Sequence, residues 1–486
     1  MALKKLASQT AIYGIPSILG RFLNYLLVPL YTGAFIPAEY GVVNDLYAVA
    51  AFLAIFLLFG LETAFFKFSN KAEYSSDAVF SSALRMVGGG VLLFVAINVL
   101  FTDEVSRFMM YPDHPEYILY MTGILAFDAL SALPLARLRQ QNKAMKFAFI
   151  NFSNIGVNIL LNLVFILPLT PGFSDSWLAS LEWSTPELGI TYIFIANFAA
   201  SAVRLILCLP AFKALFHTGE NIYKPLLVYG LPLMIAGFAG IVNETLDRRL
   251  LRIMLDPEIG ETAALAQVGI YSACYKLAII ISLFNQAFRY AADPFFFSQE
   301  RRVGSKNVYA AVMHVYTAIA CIVFLFVLFY LDFFKEFIRN ESYWEGLTVV
   351  PILMVANIFL GWYFNLSVWY KLTEKTRYGM YFSIFGAVLT IGLNIWLIPK
   401  ISYVGSAWAT LAAYGSMAIL SYLFGRKHYK IPYNIFKILG YLALAVGLYS
   451  LHAWIDLHLL VRSILLLLFI AFVALLERKT IQNFAA

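Results

Sequence analysis

The sequence reads Tyr13-Gly14-Ile15-Pro16 near its start and Tyr229-Gly230-Leu231-Pro232 216 residues later, and each stretch opens a long apolar segment. A second pair of similar stretches follows, at 40–47 and 268–275. These matches predict an internal duplication. Repeated sets of hydrophobic helices are typical of secondary transporters, because two similar halves can open a shared cavity to alternate sides of a membrane. The repeat therefore predicts a protein that moves something across a membrane.

The composition excludes a soluble domain. Hydrophobic residues make up 61% of the 486 residues, charged residues only 13%, and the mean hydropathy is +0.77. About 20 apolar residues are needed to cross a bilayer, and this length predicts fourteen spans. They lie near 10–34, 42–66, 79–101, 117–136, 147–169, 190–212, 226–246, 265–288, 309–331, 347–370, 378–398, 403–424, 434–455 and 459–476. We therefore expect an all-α integral membrane protein with two parallel six-helix repeats and a C-terminal helix pair.

The order of the spans predicts the domain organisation. Residues 1–212 form an N-terminal six-helix lobe, 213–225 a cytoplasmic linker, 226–424 a second six-helix lobe and 434–476 a terminal helix pair. If the N-terminus is cytoplasmic, the inner segments hold 24 of the 35 basic residues and the outer segments hold seven. Because positive charge is retained on the cytoplasmic side, both termini should be cytoplasmic. The net charge of +7 is explained by this topology and requires no nucleic-acid partner.

The loops leave little room for catalytic chemistry. The sequence has no G-x-x-x-x-G-K-[ST], H-E-x-x-H or G-x-S-x-G motif, which excludes the usual ATPase and hydrolase signatures. The three cysteines lie in three different predicted spans, so neither a metal site nor a disulfide framework is expected. We expect a transporter rather than an enzyme, without a cofactor.

Charged residues inside the spans are the candidate binding residues, because ionisable groups are costly in a bilayer and usually face an interior cavity. Arg21, Lys276 and Asp128 all come out near mid-depth in their predicted helices. Arg21 and Lys276 lie in helices of opposite repeats, and two such cations suit a phosphate or pyrophosphate group. Asn24 and Tyr47 are further candidates for the same cavity, although tyrosine is also a common packing residue. The alternative for Arg21 is a structural ion pair with Asp128.

Further charges lie at the ends of two predicted helices. Glu244, Asp247 and Arg248 lie at the outer end of the seventh helix, where Glu244 and Arg248 are four residues apart and can pair. They predict an outer gate or, together with Asp128, a site for a coupling proton or sodium ion. An interfacial ion network without a transport role is the alternative. Arg289 and Asp293 predict an inner gate, or side chains that reach the lipid headgroups.

Several stretches resemble a known family. They are residues 8–14, 28–32, 38–41, 60–68, 268–272 and 293–294. These stretches are similar to the polysaccharide biosynthesis membrane proteins, the Wzx-type flippases of the multidrug, oligosaccharidyl-lipid and polysaccharide exporter superfamily. The similarity extends over the whole chain, and the fourteen-span plan is similar to that of the family.

The resemblance implies a flippase in a bacterial cytoplasmic membrane. Members move undecaprenyl-pyrophosphate-linked oligosaccharide repeat units from the cytoplasmic to the periplasmic leaflet for O-antigen, capsule or exopolysaccharide assembly. Polymerases and export machinery are then the expected protein partners. The cationic cavity of the family is carried over as a type of residue, to Arg21 and Lys276. The alternatives are an antiporter of small molecules or drugs from the same superfamily and a membrane-embedded polysaccharide polymerase or ligase.

Overall fold

A computed structural model describes residues 20, 22–23, 25–173, 185–216, 221–299 and 304–485. These residues form helices joined by short loops and contain no strand. The α-helices are α1 (Val28–Ala34), α2 (Pro37–Leu58), α3 (Leu61–Ser69), α4 (Ser76–Leu100), α5 (Thr102–Phe108), α6 (Pro115–Gln140), α7 (Ala144–Ile166), α8 (Thr191–Cys208), α9 (Tyr223–Ile259), α10 (Glu261–Gln299), α11 (Ser305–Phe329), α12 (Leu331–Phe334), α13 (Val349–Leu366), α14 (Val368–Leu372), α15 (Arg377–His428), α16 (Ile435–Ile455) and α17 (Leu459–Ala485).

Twelve helical segments of the described residues are long and apolar enough to cross a membrane. One of them, α15, contains both predicted spans 378–398 and 403–424, and its helical geometry is interrupted at Ile401 and Ser402, just after Pro399. Of the predicted span 10–34, residues 10–19, 21 and 24 lie outside the described residues. The prediction of an all-α, multi-span membrane protein is confirmed, and the break in α15 divides one long helix into the two spans expected there.

Local sequence signals explain where the helices begin and end. The Glu39 carboxylate accepts a hydrogen bond from the Ile36 backbone N–H at 3.0 Å, and Pro37 fits the first helical position of α2. Before α4, the Ser75 hydroxyl accepts from the Ala78 N–H at 3.1 Å. The chain leaves α2 through Gly60 at a φ of +67°, which favours glycine. The predicted span 42–66 is therefore divided between α2 and α3.

The glycines of the second repeated motif lie at a close helix contact. A Cβ atom on Gly41 would lie 1.9 Å from the carbonyl oxygen of Leu265, and a Cβ on Gly269 would lie 1.9 Å from that of Pro37. Each glycine thus faces the backbone of the helix that carries the other one. Small residues let membrane helices approach this closely, so the repeated Gly41 and Gly269 are explained by reciprocal packing of α2 on α10.

The chain divides into two compact units. Unit 1 comprises Met1–Arg252 and Glu261–Gly269, and unit 2 comprises Ile253–Gly260 and Ile270–Ala486. The core of unit 1 is built around side chains such as Phe65 and Phe80, and in unit 2 residues such as Phe324 and Trp369 are almost completely buried. The lobe and linker boundaries expected from the repeats stay a prediction.

Candidate functional site

A charged pair lies near the middle of the membrane-spanning helices of unit 1. Asp128 is the fourteenth residue of the span Pro115–Gln140, and Arg204 is the fourteenth residue of the span Thr191–Leu215. Arg204 Nη1 lies 3.0 Å from Asp128 Oδ1, and Arg204 Nη2 donates to the side chain of Asn154. The Asp128 side chain is 41% exposed. Because a charged group facing hydrocarbon is costly, we infer that this pair faces a polar space rather than lipid.

A row of asparagines continues from this pair along α7. Asn151, Asn154, Asn158 and Asn162 are spaced by three or four residues and therefore share one face of the helix. Asn162 Nδ2 donates to the Asn158 carbonyl at 2.7 Å, and the Tyr31 hydroxyl donates to Asn162 Oδ1 at 2.9 Å. We call these four residues the polar row; at a rise of 1.5 Å per residue it covers about 16 Å of helix length. Sequence analysis missed the row, although its spacing is visible in the predicted span 147–169.

Tyr47, predicted to line a binding cavity, lies close enough to Asp128 to interact with its charge. Its ring stacks on that of Phe194, with 6.0 Å between centroids. The Tyr47 hydroxyl and Arg204 Nε are buried donors that have no hydrogen-bond partner among the described residues. Buried donors are normally paired, so both groups keep an unused hydrogen-bonding capacity in this structure.

A second group of charges lies at the ends of the helices that are predicted to face the periplasm. Asp45 in α2 is completely buried, and its Oδ2 accepts hydrogen bonds from Arg249 Nη1 at 2.7 Å and from the Tyr111 hydroxyl at 2.9 Å. The Tyr111 hydroxyl in turn accepts from Arg252 Nη1 at 2.8 Å. Arg252 also donates to Glu261 Oε1 at 2.6 Å. These five residues, all in unit 1, are called the outer network below.

The outer network also holds the loop between α5 and α6. Arg252 Nη2 donates to the Met110 carbonyl at 2.7 Å, and its guanidinium lies 4.3 Å from the centre of the Tyr111 ring. Arg249 Nη2 donates to the Met109 carbonyl at 3.3 Å. Burial raises the pKa of Tyr111 well above its usual value, and the nearby charge of Asp45 acts in the same direction. Tyr111 therefore keeps its proton and continues to donate to Asp45 at neutral pH.

The predicted gate residues on α9 lie next to this network in sequence. Arg248 Nη1 donates to the Glu244 carbonyl oxygen at 2.8 Å and to Asp247 Oδ1 at 3.1 Å. Asp247 and Arg248 are buried, whereas Glu244 is exposed. Sequence analysis located this charged end of the helix but missed Asp45 and Tyr111, which come from distant parts of the chain.

The other predicted site residues have different positions. Lys276 is half-buried in α10 and belongs to unit 2. Arg289, also in α10, is exposed, and its guanidinium lies 4.2 Å from the centre of the Phe364 ring. Three predicted positions lie outside the described residues, namely Arg21, Asn24 and the side chain of Asp293. The assignment of Arg21 and Lys276 to one cavity stays a prediction.

The described residues contain no group of three His, Cys, Asp or Glu side chains placed to hold a metal ion. The cysteines Cys208, Cys274 and Cys321 are buried and free. The chemistry that the site offers is therefore hydrogen bonding and charge: carboxylate, guanidinium, amide and phenol groups at membrane depth.

The fold is similar to those of several solved transporters. The structure titled "Lipid II flippase MurJ, inward closed conformation" matches with a TM-score of 0.69 at 14% identity, over 96% of this chain and 99% of that chain. An inward-facing multidrug resistance MATE family transporter of the MOP superfamily matches with a TM-score of 0.59 at 16% identity, over 86% and 97%. A mutant of the Vibrio cholerae MATE transporter VcmN matches with 0.56 at 13% identity, over 87% and 97%.

The sequence itself matches a family model. No curated protein sequence matches the chain. The model described as "Polysaccharide biosynthesis protein" matches residues 6–300, which is more than half of the 486 residues and includes the polar row and the outer network. The chain belongs to the polysaccharide biosynthesis protein family.

Proposed function

We propose that the protein is a Wzx-type flippase that moves oligosaccharide repeat units linked to undecaprenyl pyrophosphate. The direction is from the cytoplasmic to the periplasmic leaflet of a bacterial cytoplasmic membrane, by alternating access, for O-antigen, capsule or exopolysaccharide assembly. Family membership supports a role in polysaccharide synthesis. The lipid II flippase match has a TM-score of 0.69, against 0.59 and 0.56 for the two MATE transporters, and this supports the choice of a lipid-linked substrate over a drug.

The observation that carries the proposal is the line of polar side chains inside the spans of unit 1, in which Asn158 and Asn162 are buried and the Asp128 side chain is 41% exposed. The Asp128–Arg204 pair and the polar row place carboxylate, guanidinium and amide groups at membrane depth. A glycan has many hydroxyl groups, and each must keep a hydrogen-bond partner when it leaves water. Amides both donate and accept, so asparagines spaced along one helix face suit a chain of sugars.

In the proposed mechanism, Arg21 and Lys276 bind the pyrophosphate, the sugars contact the polar row, and the polyprenyl chain stays in lipid. The outer network keeps the predicted periplasmic end closed while the substrate enters, and it must open for release. A substrate shifts this equilibrium only through its different affinities for the two states. Direction is set by consumption of the product or by a proton or sodium ion, for which Asp128, Glu244 and Asp247 are the candidate acids.

The test is the sidedness of lipid-linked oligosaccharide in spheroplasts of the host. Cells depleted of the protein receive the wild type, Arg21→Ala, Lys276→Ala or a control, Lys375→Ala, which changes an exposed cation in a loop between two spans. We expect intermediates on the cytoplasmic face after depletion and in the first two variants at normal protein levels. The wild type and Lys375→Ala should restore export.

The possible results separate the parts of the proposal. Accumulation on depletion, with both variants active, would retain the flippase and remove Arg21 and Lys276 from the site. Unpolymerised units that still reach the outer face after depletion would contradict the flippase. That result would favour the membrane-embedded polymerase or ligase instead.

A further inference from the structure

A cavity of about 230 Å³ opens in unit 1 where α6 ends and α7 begins. Its polar lining comes from Arg137, Gln141, Lys143 and Lys146. We call this cavity the inner pocket. Pockets for drug-sized ligands usually measure about 300–1,000 Å³, so the inner pocket suits a smaller chemical group.

The inner pocket lies at the level of the lipid headgroups. Arg137 and Gln141 are at the end of the span Pro115–Gln140, and Lys143 and Lys146 are at the start of the span Ala144–Leu169. Helix ends of consecutive spans mark the surface of the bilayer. The distribution of basic residues predicts that this surface is the cytoplasmic one.

The charge of the inner pocket is strongly positive. Arg137 is fixed by an ion pair with Asp77 and by the Phe80 ring, whose centre lies 4.4 Å from its guanidinium. Lys143 and Lys146 are exposed, and within the described part of the chain neither forms an ion pair. The charge at the inner pocket is therefore three cations, Arg137, Lys143 and Lys146, against the single carboxylate of Asp77. The amino end of α7, which has no side-chain cap, adds its partial positive charge at the same place.

The rest of the wall of the inner pocket is apolar. It includes Leu138, Ile150, Leu207 and Pro210. A soluble anion would gain nothing from such a wall, whereas the glycerol and first methylene groups of a lipid would be buried against it. A wall that combines cations with apolar side chains matches the two parts of a lipid headgroup region, the phosphate and the glycerol.

We propose that the inner pocket binds the phosphate group of an anionic lipid of the cytoplasmic leaflet, with Lys143 and Lys146 on the phosphate. The bound lipid joins the end of α6 to the start of α7 and stabilises unit 1, because a ligand that binds only the folded state adds its binding free energy to stability. The site is separate from the polar row and does not depend on the proposed transport function.

The experiment measures thermal unfolding of the purified full chain in detergent during titration with phosphatidylglycerol, phosphatidylcholine or inorganic pyrophosphate. The test variant is Lys143→Gln with Lys146→Gln. The matched control is Lys427→Gln with Lys430→Gln, because these lysines are also exposed, three residues apart and predicted to be cytoplasmic. Phosphatidylglycerol alone should stabilise the wild type. The test variant should bind it about 25-fold more weakly, since each lysine near an anionic headgroup contributes roughly fivefold.

A variant that is expected to bind phosphatidylglycerol more tightly completes the test. Asp77→Asn removes the carboxylate that competes for Arg137, so binding of phosphatidylglycerol should become tighter. Equal losses in the test and control variants would show general surface attraction and overturn the proposal. Stabilisation by pyrophosphate but not by phosphatidylglycerol would assign the pocket to a soluble anion and overturn it as well.

Discussion

Replacement of Asp45 by asparagine should destabilise the protein by about 3 kcal/mol. The Asp45 side chain is completely buried and accepts two hydrogen bonds, from Arg249 at 2.7 Å and from Tyr111 at 2.9 Å. Removal of one member of a buried ion pair costs about 3–5 kcal/mol, because the other charge stays buried without its partner. Asparagine keeps the size of the side chain and one acceptor oxygen, so the lower end of that range applies.

The assay is a double-mutant cycle with Asp45→Asn, Arg249→Gln and the double variant, measured by thermal unfolding in detergent. The double variant should lose less stability than the sum of the two single variants, with a coupling free energy of about 2 kcal/mol, within the range for residues in direct contact. The control is Glu104→Gln, which breaks a pair with Arg107 at 3.6 Å whose side chains are more than 60% exposed. It should cost less than about 0.5 kcal/mol. Additive losses from Asp45 and Arg249 would refute a direct buried pair.

Three other changes test separate features. Gly41→Ala should lower the stability by about 1–3 kcal/mol or more, because its methyl group would lie 1.9 Å from a backbone oxygen. Gly88→Ala, whose methyl group would have no atom within 4 Å, should be neutral or slightly stabilising, and thermal unfolding measures both. Tyr111→Phe should cost about 1–3 kcal/mol through two lost hydrogen bonds, and unchanged stability would contradict the role of its hydroxyl. Arg204→Gln should lower export in the sidedness assay at normal protein levels, and full activity would show that its pair with Asp128 has no role in transport.

The sequence predicted features that depend on composition and local order, but not those that depend on distant pairing. Hydropathy alone predicts the all-α, multi-span plan, because the bilayer fixes the length of a span. The repeated Gly41 and Gly269 were visible as a motif, yet their contact became clear only from the positions of the helices. Asp45 and Arg249 are 204 residues apart, and no local pattern connects them.

Two acidic residues of unit 1, Asp45 and Asp128, differ in their surroundings. Asp45 is completely buried and has two donors on one carboxylate oxygen, so its network stabilises one arrangement of α2, α9 and the loop after α5. Asp128 is 41% exposed at mid-depth and is paired with Arg204. A transporter must release its substrate in each cycle, so its binding groups cannot hold the substrate too tightly. A closed end, in contrast, must stay closed until the substrate binds. In the proposed mechanism, the exposed pair at mid-depth therefore contacts the substrate, and the buried network closes the predicted outer end.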